Sequence, residues 1–313
     1  MIQAFVFPGQ GSQAVGMGKP LAEAFETARD VFGEIDEALS QNLSRLIFDG
    51  PEDTLTLTEN AQPALMAVSL AVMRVLERDG HVDLATAARF VAGHSVGEYS
   101  ALAAAGAFSL GDAARLLRVR GEAMQEAVPV GVGAMTAILG LDYAAVAELA
   151  AAAAEGEVCT AANDNAPGQV VVSGHKAAVE RAVALASEKG ARRAIMLPVT
   201  VPSHCALMAP AADVMAEALS AVSIQIPVLP LVANVKAEAV TDPEEIRALL
   251  VAQVTGTVRW RESVQWMKMQ GVERLVEIGA GKVLSGLAKR IDPDLSAIAL
   301  NTPDDIEVFI KSN

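Results

Sequence analysis

Gly93-His94-Ser95-Val96-Gly97-Glu98 lies between an apolar run, residues 87–92, and an alanine-rich stretch, residues 99–105. A strand that passes through a glycine-flanked turn into a helix sets Ser95 at the turn, its hydroxyl projecting above the sheet edge. The free N–H groups at the start of a helix then lie beside it, where they can hold a developing oxyanion. This is the pattern of a nucleophile elbow, and its glycines are expected to permit a strained backbone. As a bare pattern Gly-x-Ser-x-Gly is weak in a chain with 24 glycines; the strand and helix flanks are what strengthen it.

Working outward, residues 3–7 form a short apolar run that ends in Pro8-Gly9-Gln10-Gly11-Ser12-Gln13, a polar glycine-rich loop. A surface turn explains such a loop, but the carboxyl end of a parallel strand is also where open α/β sheets place ligands. Residues 21–42 and 63–77 read as amphipathic helices. Ser109 with Asp112 resembles a capping box that opens a helix running to residue 127. Taking Ala113 as zero and advancing about 100° per residue, Leu116, Leu117 and Met124 share one face, and Arg120 falls at about −20°, within that apolar stripe. An inward arginine stays charged and needs an anion or a full set of acceptors. Either a buried ion pair with an aspartate or glutamate or a fork that receives a ligand carboxylate meets that need.

From residue 128 the pattern shortens: strand 134–141, helix 142–154, strand 158–162, a turn at 163–168, strand 169–173, helix 176–189 and strand 193–199. The order βαββαβ is that of a ferredoxin-like unit inserted into a larger α/β fold. Val201-Pro202-Ser203-His204 returns the chain to the large domain with a histidine at the junction. A structural histidine is the bland reading. As a base, however, His204 is better placed than His94 in the elbow or His81 and His175 in polar loops. No aspartate stands out as a third member, so a serine–histidine pair and a triad both remain open. A buried strand over 227–235, helices over 242–253 and 261–270, and a strand–turn–helix over 274–291 complete the large domain. Gly279-Ala280-Gly281-Lys282 is no phosphate loop, because Val276 and Val283 stand where that motif needs glycine and Ser/Thr.

The formal net charge of −14, from 24 Lys and Arg against 38 Asp and Glu, argues against a nucleic-acid partner. The opening Met1-Ile2-Gln3-Ala4-Phe5-Val6-Phe7 has no basic n-region and reads as a first buried strand, not a signal peptide; no uninterrupted apolar run is long enough to span a membrane. Cys159 and Cys205 are far apart and lack metal spacing, which fits a reducing cytoplasm. Cys205, beside His204, reads as a small apolar residue.

Together, Pro8-Gly9-Gln10-Gly11-Ser12-Gln13, Gly93-His94-Ser95-Val96-Gly97-Glu98, Val119-Arg120-Gly121-Glu122-Ala123-Met124 and Val201-Pro202-Ser203-His204 resemble the malonyl-CoA:acyl carrier protein transacylases of type II fatty acid synthesis. The resemblance runs the length of the chain, through the Pro167-Gly168-Gln169 turn and the turn at 279–283. It implies an α/β-hydrolase-like large domain with a parallel sheet over residues 1–127 and 199–313, with a ferredoxin-like small domain over 128–198. It also implies that Ser95 is the acyl nucleophile, His204 the general base and acid, and Arg120 the partner of the malonyl carboxylate. Gln10 and Val96 would supply oxyanion N–H groups, and Gln253 would support the catalytic pair. Most relatives carry leucine at the position of Val96 and proline at that of Ala280; a backbone donor is indifferent to the first change.

The implied reaction is ping-pong transfer of malonyl from malonyl-CoA to the phosphopantetheine thiol of acyl carrier protein, with no cofactor and no metal, by a monomer. A serine esterase or thioesterase shares Ser95 and His204 but has no use for an inward arginine, and a non-catalytic carrier-binding module does not need both. Fatty acid and polyketide synthesis both remain open as the pathway. An acidic carrier would find cations at Lys189, Arg192, Arg193, Lys282, Lys289 and Arg290, which also read as solvated helix ends.

Overall fold

The computed structural model describes residues 1–199 and 201–312; Thr200 and Asn313, both inside the range expected for the large domain, lie outside the described residues. It is a mixed α/β structure with one mainly parallel sheet and one antiparallel sheet. The strands in chain order are β1 (Gln3–Phe7), β2 (Phe90–Gly93), β3 (Gly133–Leu139), β4 (Cys159–Ala166), β5 (Gln169–His175), β6 (Arg193–Met196), β7 (Leu231–Val232), β8 (Ala239–Val240), β9 (Arg274–Ile278) and β10 (Ser296–Leu300).

The larger sheet has the order β10-β9-β1-β2-β7-β8, parallel throughout except for the β7–β8 hairpin. β1 and β2 sit inside it and are buried at every residue, as expected of parallel strands covered on both faces. One cover is the helix Thr58–Arg78, whose residues 60–73 are buried without a break. The sequence pattern suggested a one-sided helix beginning at Pro63. Instead the helix starts five residues earlier and holds Pro63 inside it, because packing around its whole circumference outweighs the one hydrogen bond that a proline forfeits.

The antiparallel sheet has the order β4-β5-β3-β6, with the helices Tyr143–Ala154 and Lys176–Glu188 packed over a core of Ile138, Val146, Leu149, Val170, Val172 and Val179. Asp142 caps the first helix by accepting from Ala145 N–H at 2.8 Å. The turn expected over 163–168 is shorter than the sequence suggests. β4 runs on to Ala166 with two register shifts, and only Pro167-Gly168 turns. Asn163 and Asp164 read as turn residues, yet tertiary partners hold them extended. The Asp164 N–H donates to Val258 O at 2.9 Å, and the Arg261 guanidinium grips the Asp164 carboxylate at 2.7–3.1 Å.

Two further expectations are corrected. Residues 21–42 form not one helix but two, Lys19–Ala24 and Glu26–Leu39, broken at Phe25 (φ −124°, ψ 124°), whose ring packs against the core. No breaker residue marks this point, so packing overrides local propensity. The strand expected over 227–235 shrinks to Leu231–Val232, because Pro227 and Pro230 cannot donate to a ladder, and Val228 is exposed. β8, β10 and the helices Ala209–Ser220 and Pro303–Ser312 were not anticipated at all.

The Arg261–Asp164 contact ties β4 to the helix Trp260–Met269. Asp164 is almost fully buried; burial pushes its carboxyl up while Arg261 draws it back down. Arg261→Gln should therefore lower unfolding free energy by about 2 kcal/mol, with part of the loss recovered in Arg261→Gln/Asp164→Asn. Chemical denaturation checks this, and an unchanged midpoint in the single variant contradicts it.

Candidate active site

The elbow leaves the carboxyl end of β2 and enters the helix Val96–Ala104. Ser95 itself carries the strain, at φ 50° and ψ −105°, a conformation that costs on the order of 1–3 kcal/mol and persists only where its surroundings enforce it. The glycines have a different duty from the one expected. Neither Gly93 nor Gly97 has a positive φ; a Cβ on Gly93 would lie 1.9 Å from Gly97 O, and one on Gly97 2.1 Å from Phe7 O. They let β1, the turn and the helix approach one another closely.

Asn234, fully buried just beyond β7, clamps the strained serine: its Oδ1 accepts from Ser95 N–H at 2.8 Å and its Nδ2 donates to Gly93 O at 2.6 Å.

Ser95 Oγ lies 2.8 Å from His204 Nε2. His204 Nδ1 lies 2.8 Å from the main-chain carbonyl of Gln253. A carbonyl only accepts, so Nδ1 carries the proton and Nε2 faces the serine with its lone pair. The third member of the hydrogen-bonded chain is thus a backbone oxygen, and among the described residues no aspartate contacts His204. Burial, and secondly the charge of Arg120, lower the His204 pKa to about 3, so the ring is neutral across ordinary pH.

Arg120 is 1% exposed, as its position on the apolar face of the helix Leu110–Ala127 requires. Nη1 donates to Gln62 Oε1 at 2.7 Å; Nη2 donates to Gln253 Oε1 at 2.9 Å and to Ser95 Oγ at 3.1 Å. Nε has no partner, and the guanidinium lies 5.8 Å from the Tyr99 ring centroid. Among the described residues no carboxylate comes within ion-pairing distance of it, so the buried ion pair is not formed. Ser95 Oγ therefore donates to a neutral imidazole while accepting from a cation that only neutral oxygens satisfy.

The structure thus brings Ser95, His204, Arg120 and Gln253 into mutual contact from four distant segments. Val96 opens the helix after the serine, and its N–H has no acceptor among the described residues, whereas the next two amides do, Gly97 N–H donating to His94 O at 2.9 Å and Glu98 N–H to Ser95 O at 3.0 Å. Gln10 stands on the exposed loop after β1 and makes no hydrogen bond to the cluster; its side chain donates to Thr58 Oγ1 at 3.3 Å. That loop still abuts the elbow, where a Cβ on Gly9 would lie 2.4 Å from His94 O. At the other glycine turn, Glu277 fills the helix start of Val283–Ile291 by accepting from Leu284 and Ser285 N–H at 3.0 and 2.8 Å, consistent with the rejection of a phosphate loop there.

A model of the acyl transferase domain matches residues 4–290. The chain belongs to that family. This acyl transferase is 50% identical over 308 residues, 98% of each chain, to the malonyl CoA-acyl carrier protein transacylase of Escherichia coli (strain K12). Among solved structures it is similar to the acyl-carrier-protein-S-malonyltransferase of Bartonella henselae, with a TM-score of 0.97 and 56% identity over 100% of this chain and 99% of that one. A malonyl-transacylase solved in complex with a type II PKS acyl-carrier protein superposes with a TM-score of 0.97 at 45% identity, over 100% of both chains.

Three polar residues of the cluster escaped the sequence reading: Gln62, Asn234 and Glu98. A signal existed for Asn234, a lone amide inside an apolar run, and for Gln62 on a helix buried all round. Glu98 sits in the elbow motif, but an acid in a first helical turn reads as a dipole partner in solvent. Cys159 and Cys205 are free and buried, and burial pushes both thiols up, Cys159 to about 11, in keeping with apolar roles.

If His204 accepts the Ser95 proton, His204→Ala should slow labelling of Ser95 by a neutral phosphonylating reagent by about 10²- to 10⁴-fold. Peptide mass mapping identifies the labelled serine, and equal labelling rates in both proteins contradict the assignment.

Proposed function

We propose that this acyl transferase moves a malonyl group from malonyl-CoA to the phosphopantetheine thiol of acyl carrier protein, through a malonyl ester on Ser95. The observation that carries the reading is Arg120: a buried cation with no carboxylate of its own, 3.1 Å from the nucleophile. A malonyl group brings a carboxylate two bonds beyond the reacting carbonyl, and a planar guanidinium is suited to hold it. A simple hydrolase gains nothing from such a charge.

The steps follow from the residue types. His204 Nε2 takes the Ser95 proton as Oγ bonds to the thioester carbon. The N–H groups of Val96 and Gln10 receive the tetrahedral oxyanion, the carbon–sulfur bond breaks, and the departing thiolate takes the proton back from His204. The carrier thiol then attacks the serine ester by the same path in reverse. Thioester enters and thioester leaves, so the chemistry asks for no cofactor. Arg120 holds the acyl carboxylate during the wait between thiols, fixing the ester for the second attack. Gln253 steadies both partners, its carbonyl orienting His204 and its side-chain oxygen accepting from Arg120. The high identity to named transacylases and the carrier-bound neighbour support this assignment, and we place the activity in fatty acid synthesis.

We further infer that residues 1–127 and 199–313 form an α/β-hydrolase-like catalytic domain and that residues 128–198 form a ferredoxin-like insert. The order β4-β5-β3-β6 with two helices on one face supports the second description. The carrier, an acidic partner, would meet Lys189, Arg192, Arg193, Lys282, Lys289 and Arg290, all exposed on a chain of net charge −14.

Incubation with malonyl-CoA should add one malonyl group by intact mass, lost in Ser95→Ala. Arg120→Ala should favour acetyl-CoA relative to malonyl-CoA by about 10²-fold or more compared with the parent. Absence of an adduct, or one that survives Ser95→Ala, refutes the mechanism; unchanged selectivity in Arg120→Ala refutes the role of the arginine.

A further inference from the structure

Glu98 has no part in the steps above, yet it is 1% exposed and lies directly under them. Its Oε1 accepts from Asn234 N–H at 3.2 Å, and its Oε2 accepts a short hydrogen bond from Gln253 Nε2. The same Gln253 nitrogen donates to Ser95 O at 3.1 Å, while the opposite end of that amide accepts from Arg120 Nη2 at 2.9 Å. Resting on the malonyl reading of Arg120, we propose that Glu98 is a positioning residue for acyl selectivity: its carboxylate orients the Gln253 amide, and that amide aims the Arg120 guanidinium at the acyl carboxylate beside Ser95.

An ionised carboxylate only accepts, and a guanidinium only donates. Between them the Gln253 amide has one satisfactory orientation, nitrogen toward Glu98 and Ser95 O, oxygen toward Arg120. Rotating it by half a turn would set its oxygen against the Glu98 carboxylate and the Ser95 carbonyl, and its NH₂ against the guanidinium. Such a clash is heavily penalised among buried groups. A protonated Glu98 removes the constraint, because its O–H can donate to the rotated amide, and Arg120 then loses the acceptor that aims Nη2.

Glu98 also supplies the negative charge missing from the immediate surroundings of Arg120, one amide away. The charged and titratable groups about it are few. Arg120 faces it from the helix Leu110–Ala127, and Tyr99 interacts with it from its own helix. Asn234 and Gln253 are neutral, and His204, reached only through Gln253, is neutral as well. Burial outweighs the Gln253 and Asn234 hydrogen bonds and the Arg120 charge, and raises the Glu98 pKa to about 7. The sign follows: the carboxylate that orients Gln253 is present above that pH and is lost as pH falls through it.

The test is the ratio of kcat/KM for malonyl-CoA to that for acetyl-CoA, measured from about pH 5 to about pH 8.5, a range in which the malonyl carboxylate stays ionised. Titrations common to both substrates cancel in this ratio, and kcat/KM reports the free enzyme. The ratio should rise with pH through about 7 in the parent. In Glu98→Gln, an isostere that cannot accept from both donors at once, it should fall about tenfold or more and become independent of pH. A merely structural role would lower both substrates alike and leave the shape of the profile unchanged. Should the variant not fold, the parent profile alone decides. Failure of Ser95 to take up malonyl at all removes the malonyl reading and this proposal with it. Malonylation of Ser95 with a flat parent ratio, or with a Glu98→Gln ratio like that of the parent, removes only the role of Glu98.

Discussion

A guanidinium sealed in the core with only neutral oxygens around it is the constraint on which the site depends. Arg120 cannot lose its proton, and desolvation penalises its charge, so everything within reach is arranged to compensate: Gln62, Gln253, the Ser95 hydroxyl and the Tyr99 face. None of these neutralises it. The same charge helps keep His204 unprotonated and rests against the Ser95 hydroxyl. Under the proposed malonyl reading, an incoming acyl carboxylate would bring an anion into direct contact with Arg120, closer than Glu98, which lies one amide away.

Holding this arrangement requires rigidity from several directions. β1 and β2 pair at the centre of the parallel sheet, and their carboxyl ends carry the glycine loop and the elbow. Two glycines permit contact that any side chain would block, and Asn234 pins the turn at Ser95 N–H and Gly93 O. Gln253 joins the pieces: its backbone carbonyl orients His204 while its side chain spans Glu98 and Arg120. A single residue thus couples His204 to Arg120, and its main-chain part is independent of side-chain identity.

What could be read from the chain divides along physical lines. Ser95 was legible because a strand, glycines and a helix surround it locally; Arg120 was legible because helical period alone assigns a face. Among the described residues the ion pair allowed for Arg120 is absent, and the hydrogen-bond partner of His204 Nδ1 is Gln253 O, which no side-chain pattern reveals. Asn234, Gln62 and Glu98 act on partners far away in the chain, so no local period marks them. The same holds for structure. The order of elements over residues 128–198 followed from hydrophobic pattern, whereas the break at Phe25, the extension of β4 through Asn163-Asp164 and the truncated β7 were decided by tertiary contacts and proline chemistry.

The most direct test of this account is a crystal structure of the protein loaded with malonyl-CoA in the absence of an acceptor thiol and captured as its malonyl-Ser95 ester. The account predicts the malonyl carboxylate paired with Arg120, the guanidinium having exchanged Ser95 Oγ for the acyl oxygens. A malonyl carboxylate directed to solvent, with Arg120 still held only by Gln62 and Gln253, would contradict it.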